Sequence, residues 1–403
     1  MERTTSGRER PVIPDIPYIR RSDGSEQRAT FFELFFDLVY VFAVTQLSHH
    51  LLDRLSWTGA AQMVFMLAAV YWAWNYTTWM ANWFDPDTIP VRLILVFVML
   101  ASLLMAVAIP NGFGDEALLF GCSYSALQIG RNAFVVGVTP PGDFNRNFRQ
   151  ILAWSVISAP LWVAGGLASD DARWPLWLAA LGLDLLAPLV MFWLPRMGST
   201  PTSQWQIEGW HFAERFQLFV IIALGESIVL AGVTASDTGL EGRHVVALGL
   251  AFLASTALWW LYFGRVARAV AERIGTSPAT EGGRIGRDVY TYLHLPIVAG
   301  IVLAAVGDEL VIAHPAATLH TAGALATLGG PALYLLGVVA SAARIGERRR
   351  PARLAAVLLL VALVPVAARS SGLVAAAIVV VVLSAVLVAE EPRRLRRPSG
   401  AAD

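Results

Sequence analysis

The chain has 403 residues, of which 56% are hydrophobic and only 15% are charged, and its 30 basic and 30 acidic side chains cancel. A soluble domain has about 25% charged residues, so the composition excludes an ordinary soluble protein. The zero net charge gives no reason to expect a nucleic acid partner. Every basic residue is arginine, which excludes a P-loop and a lysine Schiff base to pyridoxal phosphate or retinal. The single cysteine and the seven histidines show no metal-binding spacing, so we expect neither metal nor cofactor.

Apolar runs of about 20 residues, long enough to cross a bilayer as helices, recur along the chain. They predict an all-α polytopic membrane protein with about twelve transmembrane helices. Residues 353–389 contain Pro365, Arg369 and Gly372, which indicate a tight hairpin or a break between the last two spans. The predicted spans cover residues 31–52, 58–83, 91–110, 114–138, 146–168, 174–195, 211–234, 243–264, 287–312, 320–343, 353–368 and 372–389.

The distribution of arginine predicts the orientation. With this set of spans, most of the 30 arginines fall on the side of the N-terminus. The positive-inside rule then places both termini in the cytoplasm. We expect a polar cytoplasmic tail over residues 1–28, two six-helix halves over residues 29–200 and 201–389, and an arginine-rich cytoplasmic tail over residues 390–403.

The two halves share a sequence of landmarks. Glu33 and Glu214 each lie at the start of a span, with an aromatic residue two positions later. The next span of each half contains a tryptophan-rich segment. Six spans per half is an even number, so both halves would have one orientation, as in parallel duplicated transporters. Chance similarity between apolar helices is the alternative.

Charged side chains inside the spans are expensive and need a partner, water or a function. In the first span, Glu33, Asp37 and Tyr40 lie on one helical stripe. Glu33 is also suited to a helix N-terminus, where the helix dipole favours a carboxylate. In the fourth span, a second stripe contains three polar side chains, namely Tyr124, Gln128 and Arg131. Because Asp37 and Arg131 have the same predicted depth, we expect an ion pair between them.

The remaining embedded groups lie in other spans. Arg215 and Glu226 share a stripe of the seventh span, and the segment Gly225-Glu226-Ser227 allows close backbone approach at depth. Glu226 suits either a structural ion pair or a transport site. We expect most of the embedded groups to converge on one interior seam or cavity, because none can face lipid cheaply. They also include Asp184, Glu214 nearer the surface, Asn75 and His294.

Two segments resemble signatures of a known family. Residues 30–43 have the sequence TFFELFFDLVYVFA, and residues 214–216 and 223–229 have the sequences ERF and ALGESIV. Together they resemble the bacterial low temperature requirement A family over nearly the whole chain. The resemblance implies a multi-pass protein of the bacterial cytoplasmic membrane and brings no settled biochemical activity with it. The signature residues that match are Glu33, Asp37, Glu214, Arg215, Glu226 and Ser227.

Three functions are compatible with these patterns. The first is a secondary transporter coupled to protons or another cation, with buried carboxylates that exchange protons as access alternates. The second is an enzyme acting on a lipid or lipid-linked substrate, with His294 and Arg131 in acid–base and phosphate-binding roles. The third is a sensor or assembly factor without catalytic activity. The expected surroundings are the lipid bilayer and an unidentified small solute or ion.

Overall fold

The computed structural model describes residues 16–20, 28–205, 207–238, 241–347 and 351–390. Within these ranges the protein is all α-helical, with three isolated β-bridges and no strand. The α-helices are α1 (Phe31–Asp53), α2 (Trp57–Trp83), α3 (Ile89–Ala108), α4 (Ala117–Val138), α5 (Asp143–Leu167), α6 (Asp170–Leu186), α7 (Gly209–Thr238), α8 (Gly242–Leu261), α9 (Ala267–Thr276), α10 (Ala279–Ile285), α11 (His294–Ala313), α12 (His320–Arg344), α13 (Pro351–Ala367) and α14 (Gly372–Glu390).

Two π-helical segments join helices into longer rods. Tyr262–Val266 connects α8 to α9, and Gly286–Leu293 connects α10 to α11. Of the helices in the described residues, eight are long and apolar enough to cross a membrane, while α13 is apolar but shorter. The prediction of an all-α, multi-pass membrane protein is therefore confirmed. The membrane-spanning assignment of α2, α4, α6 and α13 stays a prediction, as do the cytoplasmic termini. The two predicted tails, 1–28 and 390–403, lie mainly outside the described residues.

The predicted span over residues 174–195 is wrong at its C-terminal end. Helix α6 ends at Leu186, and residues 187–205 and 207–208 form a largely irregular segment, which we call the α6–α7 connection. Pro188 has no amide hydrogen with which to continue the helical ladder. Met191 and Phe192 have φ angles of 54° and 53°, which a right-handed helix excludes. The connection instead folds back against the ends of α2 and α5, through Phe192 and Trp205.

The helices pack mainly against their neighbours in sequence. Helix α1 packs on α2 and α3, and α7 packs on α8 and α11; α1 and α2 also contact α7 and α11. Helices α11 and α12 approach each other closely, since a methyl group on Gly330 would lie 2.5 Å from the backbone nitrogen of Ala304. Outward-facing side chains are often apolar, as at Phe31, which is 91% exposed. Such a surface suits contact with lipid.

Candidate functional site

The N-terminal end of α1 is fixed by a reciprocal cap. The Thr30 hydroxyl accepts the Glu33 amide hydrogen at 3.3 Å, and the Glu33 carboxylate accepts the Thr30 amide hydrogen at 2.8 Å. This capping box satisfies two amides at the helix start. The same carboxylate forms an ion pair with Arg20 at 2.8 Å. Glu33 thus caps α1, as its position at a helix N-terminus suggests, and it also binds Arg20.

His211 on α7 also contacts Glu33, and its hydrogen bonds determine its tautomer. The Glu208 amide donates to Asn82 Oδ1 at 2.9 Å, which leaves Asn82 Nδ2 to donate to His211 Nδ1 at 3.1 Å. His211 Nε2 must then be the protonated nitrogen, and it donates to Glu33 Oε1 at 3.0 Å. The histidine therefore links α7 to both α1 and the end of α2.

One turn further along, Asp37 and Arg215 form a bidentate ion pair. Arg215 Nη1 donates to Asp37 Oδ2 at 2.8 Å, and Nη2 donates to Oδ1 at 2.7 Å. Trp74 Nε1 on α2 donates to the same Oδ1 at 2.9 Å. Both charged side chains are buried, so the pair satisfies two charges that the membrane interior would otherwise destabilise.

The predicted Asp37–Arg131 ion pair is therefore wrong. Arg131 points towards α2 instead, where Nη1 donates to the Thr77 hydroxyl at 3.2 Å. Two residues at the same depth on two helices form a pair only if the faces that carry them meet. Here α7, and not α4, presents an arginine to Asp37. Tyr40, on the same stripe of α1, hydrogen bonds to Ser102 of α3 at 2.8 Å.

The polar stripe of α4 forms a chain of hydrogen bonds. Arg131 donates to Gln128 Oε1, Gln128 Nε2 donates to the Tyr124 hydroxyl oxygen at 3.0 Å, and Tyr124 donates to Asp184 Oδ2 at 2.9 Å. Trp162 of α5 donates to the same Asp184 oxygen at 3.0 Å. A buried cation and a buried carboxylate are thus connected by two neutral groups, with every donor directed towards Asp184.

Glu226 lies in a third environment, between α7 and α1. It is 2% exposed, and its Oε2 accepts a hydrogen bond from the Thr45 hydroxyl at 2.6 Å. The other oxygen, Oε1, is buried without a hydrogen-bond partner in the described residues, as is the hydroxyl of Ser227. His49 on α1 and Glu309 on α11 lie close enough to interact electrostatically with Glu226.

The other predicted groups make local contacts. Glu214 accepts the Ala29 amide hydrogen at 2.8 Å, near the N-terminal ends of α1 and α7. His294 follows the π-helical segment Gly286–Leu293. Its Nδ1 donates to the Val289 carbonyl at 3.0 Å, so its Nε2 accepts the Tyr262 hydroxyl hydrogen at 2.6 Å. Asn75 Oδ1 accepts a hydrogen bond from the Thr291 hydroxyl at 3.2 Å in the same segment.

The embedded groups lie at three separate helix contacts rather than around one cavity. Asp37 and Glu226 each belong to one contact, and Arg131 and Asp184 share the third through the hydrogen-bond chain of α4. In the described residues, no cluster of three or more histidine, cysteine or acidic side chains could hold a metal ion. The sequence does contain a signal for the missed pairing of α1 with α7. His211 and Arg215 are four residues apart, and they face Glu33 and Asp37, which have the same spacing.

Comparison with known proteins identifies the family. The model of the family described as Bacterial low temperature requirement A protein (LtrA) matches residues 28–388. The chain is also 39% identical over 325 residues to Uncharacterized protein RA0937 of Rhizobium meliloti (strain 1021), an alignment that covers 80% of this chain and 79% of the relative. No solved structure matches the chain. Because the family match extends from the cap of α1 into α14, the chain belongs to the bacterial low temperature requirement A family.

Proposed function

We propose that this chain is a secondary transporter coupled to a proton or another small cation, with Glu226 as the coupling group. The proposal depends on one observation: Glu226 is a buried carboxylate in a membrane helix with a single hydrogen bond, from a neutral hydroxyl, and a free Oε1 among the described residues. A carboxylate in such surroundings is stable only when it is protonated or next to a cation. Reversible exchange of that proton or cation is what coupled transport requires.

The other embedded carboxylates are less suited to this role. Asp37 is held by both nitrogens of one guanidinium and by an indole, and Glu33 is held by Arg20 and His211. Asp184 accepts hydrogen bonds from Tyr124 and Trp162. Such partners stabilise the charged form and fix the side chain. Glu226 has, within the described part of the chain, a single neutral hydrogen-bond donor and one carboxylate oxygen without a donor.

The arrangement of helices supports a duplicated transporter. Glu33 contacts His211 and Asp37 contacts Arg215, both at a separation of 178 residues. Contacts that advance together along two helices mean that α1 and α7 run in the same direction. The first and third rods of each predicted half also pack together, α1 on α3 and α7 on α11. These features favour a parallel duplication with α1 and α7 at the interface between halves.

The enzyme hypothesis has less support from the geometry. Both ring nitrogens of His294 are occupied by protein partners, namely the Val289 carbonyl and the Tyr262 hydroxyl. The guanidinium of Arg131 bonds to Gln128 and to Thr77. Neither side chain is free for the acid–base or phosphate-binding role that the sequence suggested.

A reconstitution experiment tests the proposal. The full chain is incorporated into liposomes with a pH gradient or a sodium gradient, and a broad panel of solutes is screened for gradient-driven currents on a solid-supported membrane. We expect currents with at least one solute and their loss in Glu226→Gln, which keeps an acceptor for the Thr45 hydroxyl. Glu241→Gln, at an exposed position before α8, is the matched control. Currents that persist in Glu226→Gln, or their absence across the panel in the wild type, would overturn the proposal.

A further inference from the structure

A small cavity with aromatic walls is lined by none of the four embedded carboxylates described above. It has a volume of about 40 Å³ and is enclosed by α2, α4, α5, the α6–α7 connection and the π-helical segment Gly286–Leu293. A water molecule needs about 10–15 Å³ of such space, so the cavity admits a group of about three or four heavy atoms. Its aromatic wall consists of Tyr76, Trp79, Trp83, Phe148, Phe192 and Trp205.

The aromatic side chains support each other and give the cavity a defined shape. The Trp205 ring contacts Phe192 at a centroid distance of 5.6 Å and Trp79 at 5.9 Å. Trp83 contacts Phe148 at 5.7 Å. Edge-to-face and tilted contacts of this kind hold rings in place beyond simple burial. The α6–α7 connection provides two of these side chains, which explains why its irregular course ends against α2.

Three buried polar atoms in the cavity wall have no hydrogen-bond partner in the described residues: Asn75 Nδ2, Asn147 Oδ1 and Trp205 Nε1. The three residues are 0%, 6% and 5% exposed, respectively. Leaving one such atom unsatisfied costs about 1–3 kcal/mol. Three of them around one space therefore indicate that the space receives a molecule with complementary groups.

The neighbours of Asn75 determine which of its atoms is free. Trp79 Nε1 can only donate, and it donates to the Thr291 hydroxyl oxygen at 3.1 Å. The Thr291 hydroxyl hydrogen is then directed to Asn75 Oδ1 at 3.2 Å. The amide nitrogen of Asn75 is left for the cavity. The wall thus presents two kinds of N–H donor, from Asn75 and Trp205, and one amide oxygen acceptor, from Asn147.

The charge of the wall limits the ligand further. Among the described residues, no carboxylate lines this cavity, and its one ionised lining residue is Arg287. Arg287 is already bonded to Asp288 at 2.8 Å and to the Pro188 carbonyl at 3.4 Å. Because Arg287 is already paired, an anionic ligand would find no free cation in this wall, and a cationic ligand would find no carboxylate in it.

We propose that this cavity binds the carboxamide group of a small uncharged molecule. The carbonyl oxygen of the ligand would accept from Asn75 and Trp205, its N–H would donate to Asn147, and its flat faces would lie against the aromatic wall. This arrangement satisfies all three unpaired atoms with one planar group. The inference stands apart from the proposed coupling at Glu226, since neither Glu226 nor its partner Thr45 lines the cavity.

Three molecules of the same shape and different charge test the inference: acetamide, acetamidinium and acetate. Their methyl signals are titrated with the purified full chain by saturation-transfer NMR, with empty micelles as the blank. We expect acetamide to bind in the millimolar range and the two ions to bind at least about tenfold more weakly. Preferred binding of acetamidinium would indicate a cation site and overturn the inference. The absence of binding of all three molecules to the folded chain would also overturn it.

Matched variants locate the binding. Trp205→Phe removes one N–H and keeps a ring, and Asn147→Leu removes the acceptor at similar volume; each should weaken acetamide binding about five- to tenfold. Trp57→Phe, at a position that is 79% exposed, should leave it unchanged. A thermal unfolding curve confirms that each variant is folded. Equal acetamide affinity in all variants would place the binding elsewhere and overturn the inference.

Discussion

The Asp37–Arg215 ion pair gives a quantitative test of the structure. In Asp37→Asn, the Arg215 guanidinium stays buried without its counter-ion and keeps only a neutral acceptor. Removing one member of a buried pair costs about 3–5 kcal/mol. The new amide oxygen can still accept one guanidinium N–H and the Trp74 indole N–H, because both donors lie within 2.9 Å of the present Oδ1. We therefore expect a loss near the lower end, about 3 kcal/mol.

The double variant Asp37→Asn/Arg215→Gln separates the pair from its surroundings. Arg215→Gln alone leaves a buried carboxylate and should cost a similar amount. In the double variant, neither charge is left unpaired, so its cost should be smaller than the sum of the single costs by about 1–3 kcal/mol. The free energy of unfolding is measured by equilibrium titration of the protein with sodium dodecyl sulfate in mixed micelles, followed by tryptophan fluorescence.

A second cycle with Arg131 provides the control. Arg131 bonds to Gln128 and Thr77 rather than to Asp37, so Asp37→Asn and Arg131→Gln should be additive within about 0.5 kcal/mol. Additive costs for Asp37 and Arg215, or strong coupling between Asp37 and Arg131, would refute the pairing of α1 with α7 that the structure shows.

Packing and charge lead to three further predictions. Gly330→Ala should lower the free energy of unfolding by about 1–3 kcal/mol, because the new methyl group would overlap α11. The control Gly329→Ala places its methyl group in open space and should be neutral or slightly stabilising. Equal effects of the two variants would contradict the close packing of α11 on α12. Arg353→Lys should lower the free energy of unfolding by about 1–2 kcal/mol in the same titration, because Arg353 bonds to both oxygens of a carboxylate on α14. The control Arg268→Lys changes a side chain that is 80% exposed and should have no effect. Equal losses in the two variants would contradict a stabilising role of the bidentate bond. Burial raises the pKa of Glu208, so the folded protein binds this proton more tightly than the unfolded chain and loses stability as the pH rises from below 4.5 through the raised pKa. Glu208→Gln should reduce this dependence of the free energy of unfolding on pH, measured from about pH 4 to about pH 8. An unchanged pH dependence would assign the effect to another group.

The sequence predicts much of the secondary structure because the bilayer requires long apolar helices whatever they pack against. It gives the start of α1 closely, since Thr30 and Glu33 form a local cap that needs no tertiary contact. It fails at the end of α6, where Leu189, Val190 and the following aromatic residues are apolar but not helical. Hydropathy cannot separate an apolar helix from an apolar segment that folds against other helices, as this one does through Phe192.

The polar groups show the same division between local and tertiary information. The α4 stripe was predicted as a unit, and its members do hydrogen bond to one another, because i, i+4 spacing alone brings Tyr124 and Gln128 together. The partner of Asp37 was missed because it depends on which helix packs against α1. The aromatic cavity was missed for a similar reason, since Asn75 and Asn147 are brought together by the fold and are 72 residues apart in sequence.

The contacts between α1 and α7 differ in strength along the two helices. Where both helices begin, Glu33–His211 and Asp37–Arg215 connect them through charged hydrogen bonds. The Thr45–Glu226 hydrogen bond lies about 12 Å beyond Asp37, at 1.5 Å per residue of α1, and it joins two neutral groups whenever Glu226 is protonated. A neutral hydrogen bond contributes about 1 kcal/mol and a charged one about 1.5–3 kcal/mol, so separation of the two helices costs least at the Glu226 end. In the proposed transporter, Glu226 would therefore be exposed first on the side opposite to the one where α1 begins, and exchange of its proton or cation would occur there while the ion pairs keep the other end closed.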